Sequence, residues 1–339
     1  MRKDYLSQKK SFYKSNLHCH SNYSDGALSP QRLKEIYKEK GYSVLAITDH
    51  DGIFDHSYLN DEEFITLPAY EMEINDSGAS VWNDVVTCHL CIYPKDKNNV
   101  NCVCFNPDFV HPRFKWMHNP ELKAKVKYIG EPYVPEYTVQ SINHIISEAN
   151  KNGFLVTLNH IQWSQESYEQ YSKYEGMFAM EIYNTSCERT GNNEYNSAIY
   201  DLMLHSGHKI NCVAADDNHN GHPLESPHSD SFGGWVMINA DVLEHGVLMS
   251  ALERGEFYSS TGPEIKELYI EDGKIHIKTS PAKKIRLLTG NRFSAVKIAE
   301  NDGFVDEAVW DTNEIVKYFR IEVTDSSGEK AYTNAYFEF

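Results

Sequence analysis

Residues 15–52, "SNLHCHSNYSDGALSPQRLKEIYKEKGYSVLAITDHDG", contain a complete strand–helix–strand unit, and both strands run into residue types able to bind a metal. A strand has a side-chain period of two, so His18 and His20 project from one face and Cys19 from the other. Ser29 followed by Pro30 is an N-cap with proline at the first helical position, and Gly41 is a C-terminal stop, so this spacing predicts a helix between them. The next apolar run ends in "TDHDG", which carries His50. Taken alone, two neighbouring imidazoles fit a tolerated polar pair as well as half of a metal site.

The unit repeats. Candidate strands "FITLPAYEMEI" (64–74), "VVTCHLCIY" (85–93), "GFLVTLNHI" (153–161), "FAMEIYNTS" (178–186) and "INCVAADDNH" (210–219) alternate with helical patterns such as 138–153 and 196–209. Successive strand–helix units imply a parallel sheet, and this many imply closure into a barrel with its site at the C-terminal ends of the strands. From Pro263 the pattern changes. "KELYIEDGKIHIKTS" (266–280) alternates about Asp272-Gly273, a type I′ hairpin signal, and "YFRIEVTDSSGEKAYTNAYFEF" (318–339) alternates about Ser-Ser-Gly. The expected fold class is α/β: a barrel over residues 1–262, then a small antiparallel, sandwich-like β domain over residues 263–339.

A chain of 339 residues has room for both units, and its net charge of -17 opposes a broad grip on nucleic-acid phosphates. A small anionic ligand held through cations is compatible with that charge, because bound cations offset part of an acidic cluster. The polar N-terminal stretch and the lack of any ~18-residue apolar run lead to the expectation of a cytoplasmic protein with no membrane partner. Seven cysteines in such a chain read as reduced thiols. Cys88 and Cys91 mimic redox spacing, yet no helix opens after Cys88, so both read as small buried side chains, Cys91 on the face of His89.

His18, His20, Asp25, His50, Glu71, His89, His160, Asp217 and His219 all fall at the same end of successive strands, which a barrel would gather at one mouth. Imidazoles and carboxylates without thiolates suit Zn, Mn or Fe. Glu73 shares a strand face with Glu71 and is an alternative ligand, as Asp216 is to Asp217. The basic, aromatic stretch from Phe105 to Tyr137, with Arg113 and His118, reads either as a lid meeting an anionic substrate or as a surface excursion. Arg189 and His222 are further loop candidates.

The ordered series His18-x-His20, Asp25, His50, Glu71, His89, His160 and Asp217-x-His219 resembles the PHP superfamily, named for its polymerase and histidinol phosphatase members. The resemblance implies a distorted (β/α)7 barrel holding two or three divalent metal ions. It implies His18, His20, Glu71 and Asp217 at the first, Asp25, His50 and His219 at the second, and His89 and His160 with a bridging Glu71 at the third. "ALERGEFYSSTGPEI" (251–265) and "GEKAYTNAYF" (328–337) resemble CehA/McbA-like metallohydrolases. The implied activity is phosphoester hydrolysis by a metal-bridging hydroxide. For such a reaction Glu71 and Asp217 would hold the metals, while Arg113 is a candidate to meet a small phosphorylated substrate and a histidine such as His222, or a metal-bound water, to protonate the leaving alcohol. Carbamate, ester or amide hydrolysis at the same centre is the alternative, as is a non-catalytic metal-binding scaffold.

Overall fold

In the computed structural model, which describes residues 2–78, 84–193 and 195–339, β1 (Arg2–Leu6) and β2 (Ser11–Asn16) come first. Helix α1 (Pro30–Glu39) forms where its caps predict: the Ser29 hydroxyl accepts from the Arg32 N–H, and Gly41 turns the chain away at φ +77°. Its buried residues Leu33, Ile36 and Tyr37 join Leu45 and Ile47 of β3 (Val44–Ile47) in one cluster. The predicted strand at 64–74 breaks at Ala69 into β4 (Ile65–Pro68) and β5 (Tyr70–Asn75), after a proline that has no N–H to extend the ladder. There follow β6 (Thr87–Pro94), β7 (Cys102–Val103), α2 (Pro120–Lys123), β8 (Tyr128–Ile129), α3 (Val139–Lys151) and β9 (Phe154–Leu158). Then come α4 (Tyr168–Tyr171), β10 (Ala179–Asn184), α5 (Thr185–Arg189), α6 (Ser197–His205) and β11 (Asn211–Ala215).

One five-stranded sheet has the order β11-β10-β9-β6-β5. It is mixed rather than parallel, because β6 runs antiparallel to both β5 and β9. The connection over residues 76–86 is shorter than the dozen or so residues that a parallel crossover needs, so β6 returns alongside β5 as in a hairpin.

The remaining strands are β12 (Trp235–Ala240), then, beyond α7 (His245–Glu253), β13 (Phe257–Ser260), β14 (Ile265–Glu271), β15 (Lys274–Ala282) and β16 (Lys284–Thr289). They finish with β17 (Ser294–Ile298), β18 (Val305–Asp311), β19 (Phe319–Thr324) and β20 (Lys330–Thr333). Asp272 (φ 49°) and Gly273 (φ 73°) form the tight turn between β14 and β15, with Glu271 opposite Lys274, as a type I′ hairpin requires. A nine-stranded sheet, β17-β16-β19-β20-β13-β12-β2-β3-β4, runs through residue 262 without a break, and β1 pairs with β14 in a four-stranded sheet, β1-β14-β15-β18. Ile277, Ile285, Leu287 and Ile321 from these two layers share one apolar core.

Among the described residues the strands form open sheets, and no closed ladder joins them. Two isolated parallel bridges, Cys19 to Asn218 and His50 to Glu71, link the five- and nine-stranded sheets at one rim. Beneath that rim Leu17, Val44, Leu67, Leu155 and Val213 of the two sheets pack together. All seven cysteines are buried and free, and no described helix is long and apolar enough to cross a membrane.

Candidate metal centre

Strand direction gathers the ligand candidates. His18 and His20 follow β2, His50 follows β3, His160 follows β9, Asp217 and His219 follow β11, and Glu71 opens β5 just past the break. His89 lies near the start of β6, not at its end as the repeat predicts; because β6 is antiparallel, its start meets the same rim.

Three donor groups result, each with its donor atoms within 4.8 Å of one another: His18, His20, Glu71 and Asp217; His20, Asp25, His50 and His219; and His50, Glu71 and His89. Glu71 is the hub. Its Oε1 lies 3.2 Å from His18 Nε2, 3.1 Å from His89 Nδ1 and 3.2 Å from His160 Nε2. Its Oε2 lies 3.3 Å from His20 Nε2 and 3.4 Å from His50 Nδ1. Asp217 Oδ1 is 3.1 Å from His20 Nε2, and the Asp25 carboxylate is 3.6 Å from ring nitrogens of His20, His50 and His219. His160 stays outside the third group: its Nδ1 sits 3.0 Å from Ser164 Oγ, which turns Nε2 to Glu71 and, at 3.8 Å, to Asp217. His50 completes the third group, and His160 stands beside its Glu71 at 3.2 Å.

The paired alternatives part company here. Glu73 accepts from Arg113 Nη2 at 2.7 Å and from Asn75 at 2.6 Å, away from the three groups. Asp216 accepts from the N–H groups of Phe232, Gly233 and Gly234 and from the Tyr37 hydroxyl, while Asp217 faces the histidines with a left-handed backbone, φ 54°.

Burial opposes charge throughout the cluster, and its outcome differs by residue. It pulls the pKa of His18 down, but Asp217 and then other anionic neighbours outweigh it; with His20, too, burial yields to Asp217 and Glu71, and both imidazoles stand well above their ordinary range. At His50 burial prevails and holds the ring down to about 3. Burial pushes Glu71 up, yet His18, His89 and His50 more than reverse this and keep it well below a normal carboxyl. His20 Nδ1, His50 Nδ1 and His89 Nε2 are buried with no hydrogen-bond partner. Of these, His20 Nδ1 and His50 Nδ1 lie beside carboxylates, which fits divalent cations, and a thiolate-free donor set fits Zn, Mn or Fe.

Several residues that hold this arrangement escape a reading of the sequence. Glu181 on β10 places Oε1 2.7 Å from His18 Nδ1, while its Oε2 accepts the His160 N–H, so one carboxylate orients two ligand candidates. Its only signal is a lone charge in an apolar strand. Asp49 accepts from the N–H groups of Ser21 and Ser24 and from both hydroxyls, fixing the turn that bears Asp25. Gly26 is required in that turn, since a Cβ there would lie 2.3 Å from the His20 carbonyl oxygen.

The rim opens into a cavity of about 330 Å³ lined by Asp25, His50, Glu71, His89, His160, Asp217 and His219 together with Arg113, Trp163, Ser186, Cys187 and Thr190. His222 is exposed beside His228 and does not line it, because the chain after His219 turns outward. Arg189 donates to the Ser229 carbonyl, and His118 is exposed with Nε2 2.6 Å from the Pro112 oxygen. Lys123, Lys125 and Lys127 point to solvent, whereas Phe114 and Trp116 are buried, so this stretch is part wall and part surface.

Mixed α/β sheets with clustered imidazoles and carboxylates at one rim define a protein built to hold metal ions. The PHP-domain family model matches residues 16–202, more than half of the chain, and the protein belongs to that family. Over 42 residues the chain is 52% identical to the error-prone DNA polymerase of Cutibacterium acnes, covering 12% of this chain and 4% of that one. Over 97 residues it is 32% identical to the DNA polymerase/3'-5' exonuclease PolX of Bacillus subtilis, covering 23% of this chain and 17% of that one. The chain thus spans only a small part of these curated relatives. It is also similar to the crystal structure of a two-domain protein containing a predicted PHP-like metal-dependent phosphoesterase from Bacteroides vulgatus. That match has 14% identity and a TM-score of 0.45, covering 97% of this chain and 96% of the other.

Proposed function

We propose that the protein is a metal-dependent phosphoesterase acting on a small phosphorylated molecule, with two or three divalent ions at the strand rim. The observation that carries this reading is the shared use of Glu71, His20 and His50 among three compact donor groups that open on one cavity. His18, His20, Glu71 and Asp217 would hold one ion, Asp25, His50 and His219 a second, and His89 with Glu71 a third, with His160 beside Glu71. Cations held there supply Lewis acidity toward a phosphoryl oxygen and acidify water at neutral pH. Arg113, held by Glu73 at 2.7 Å, also lines the cavity and would meet an anionic substrate there. The buried carboxylates exclude a second anion from the floor of the cavity, so the substrate's charge has to face the ions and Arg113. His222 has no place in this scheme, and the leaving alcohol takes its proton from solvent.

The five-stranded sheet and strands β2, β3 and β4 of the nine-stranded sheet are, in this reading, the two parts of a distorted seven-stranded barrel, with β4 and β5 counted as one bent strand and the two isolated bridges joining the parts at the rim. Residues 263–339 would form a second unit that also recruits β1.

The test is to strip the protein with chelator, restore Zn, Mn or Fe, and assay aryl phosphates, phosphodiesters and aryl carbamates in parallel. Metal-dependent turnover of a phosphoester is expected. Turnover of carbamates alone would overturn the phosphoesterase reading, and metal-replete protein that hydrolyses nothing would support a scaffold.

A further inference from the structure

We propose that the three residues Phe114–Trp116 form a fixed wall whose purpose is to position the ligands of the second group, so that this segment sets the metal affinity of that position separately from the first. The inference rests on the reading above that the rim holds divalent ions.

Three consecutive residues grip two separate ligand loops. The Phe114 ring is fully buried and stacks on the imidazole of His50, with centroids 4.7 Å apart and planes 15° from parallel. The buried Trp116 indole N–H donates to the His50 carbonyl oxygen at 2.9 Å, which fixes the backbone of the same residue. The peptide N–H groups of Lys115 and Trp116 donate to the carbonyls of Ser24 and Tyr23 at 3.0 and 2.7 Å, and Lys115 Nζ donates to Gly26 O at 2.7 Å. Those carbonyls flank Asp25. One short stretch therefore locks the ring plane of His50 and both sides of the turn that carries Asp25. Among the described residues, Phe114, Lys115 and Trp116 make no hydrogen bond or ring contact with His18 or Asp217 of the first group, whose orienting partner is Glu181 instead. A flat apolar ring over one face of a ligating imidazole restricts its rotation without competing for its nitrogens, which is how a neighbour can tune affinity at a distance from the ion. Phe114, Lys115 and Trp116 are thus positioning residues, and the insertion is a wall built into the site rather than a lid above it.

The test is titration of chelator-stripped protein with Mn²⁺, followed through the electron paramagnetic resonance signal of the free aqua ion, which counts bound equivalents and resolves tight from weak classes without reference to turnover. Wild-type protein is expected to show at least two classes. Phe114→Leu and Trp116→Phe should weaken one class about 10- to 100-fold, the range typical of outer contacts to a ligand, and leave the other within about twofold. Lys115→Met removes a single side-chain contact, keeps both backbone donors, and should weaken the same class several-fold in a protein with an unchanged melting profile. Equal loss in both classes, or no loss in the folded Lys115→Met and Trp116→Phe proteins, overturns the wall proposal while leaving the metal reading intact. Wild-type protein that binds no Mn²⁺, Zn²⁺ or Fe²⁺ overturns the metal reading, and this inference falls with it.

Discussion

The first and second donor groups share a rim but are built differently. In the first, the side chains of His18, His20, Glu71 and Asp217 are 1%, 0%, 1% and 11% exposed. In the second, Asp25 and His219 are 25% and 33% exposed, while His50 and the shared His20 are deeply set. Strand ends and the Glu181 carboxylate hold the first; turns and the Phe114–Trp116 wall hold the second. Buried charge is tolerated in the first group because opposite charges are interleaved within about 3 Å, each offsetting the other's desolvation. The second group gives up part of that enclosure and gains access to the cavity. On the proposed metal reading, the first position would be the more enclosed and the second the more open to solvent, although Glu71 and Asp217 of the first also line the cavity.

The largest effect should come from breaking what the groups have in common. Glu71→Gln keeps the size and removes the charge that five imidazoles surround. It should lower turnover by about three orders of magnitude and remove more than one metal equivalent. Metal analysis of the purified variant together with steady-state rates checks this. A variant that keeps its metal and a near-normal rate would mean that Glu71 is not the hub.

Next come changes that separate the two groups. Glu181→Gln weakens the acceptor that orients His18 and should cost roughly 10- to 100-fold in affinity at the tight position alone. His219→Ala removes a half-exposed ligand and should weaken the other position, with turnover recovered by raising the metal concentration. Competition titration against a chromophoric chelator distinguishes the two. If both variants lose the same class of metal, the division into two differently built groups is wrong.

How far this contrast could be read from the sequence depends on the range of the interactions that make it. Local rules located α1 from Ser29 and Gly41, the β14–β15 turn from Asp272-Gly273, and the ligand candidates from their repeated place after apolar runs. Each of those signals lies within a few residues. The reversal of β6 was missed because direction depends on the length of a connection and not on the pattern inside the strand. Glu181 was missed because its partners, His18 and His160, are far away in the chain. His222 lies outside the cavity lining for a similar reason: nearness in sequence to His219 does not determine where the following turn points.

The smallest effect tests the rule of balanced burial outside the three donor groups, at a carboxyl that feels one of the site's imidazoles, His160, alone among them. Glu166 is buried like Glu71, but in place of a ring of imidazoles it has the hydroxyl of Tyr174 and, more distantly, that of Tyr137. Burial pushes its pKa up to about 7, and the Tyr174 hydrogen bond only partly opposes the rise, whereas Glu71 is driven the other way. A carboxyl whose folded pKa is raised above its unfolded value contributes its full stability below the unfolded pKa and loses it as pH rises through the folded one. The window therefore runs from about 4.5 to about 7. Glu166→Gln stays neutral at every pH, so it should match the wild type in stability near the acid end of that window. Above it the variant should be the more stable protein, by on the order of 2 kcal/mol, where the wild type carries an unbalanced buried charge. Denaturant melts of both metal-free proteins across this range decide the point: a gap that does not change with pH would show that charge balance does not govern burial at Glu166, and the same explanation for the first donor group would lose its independent support.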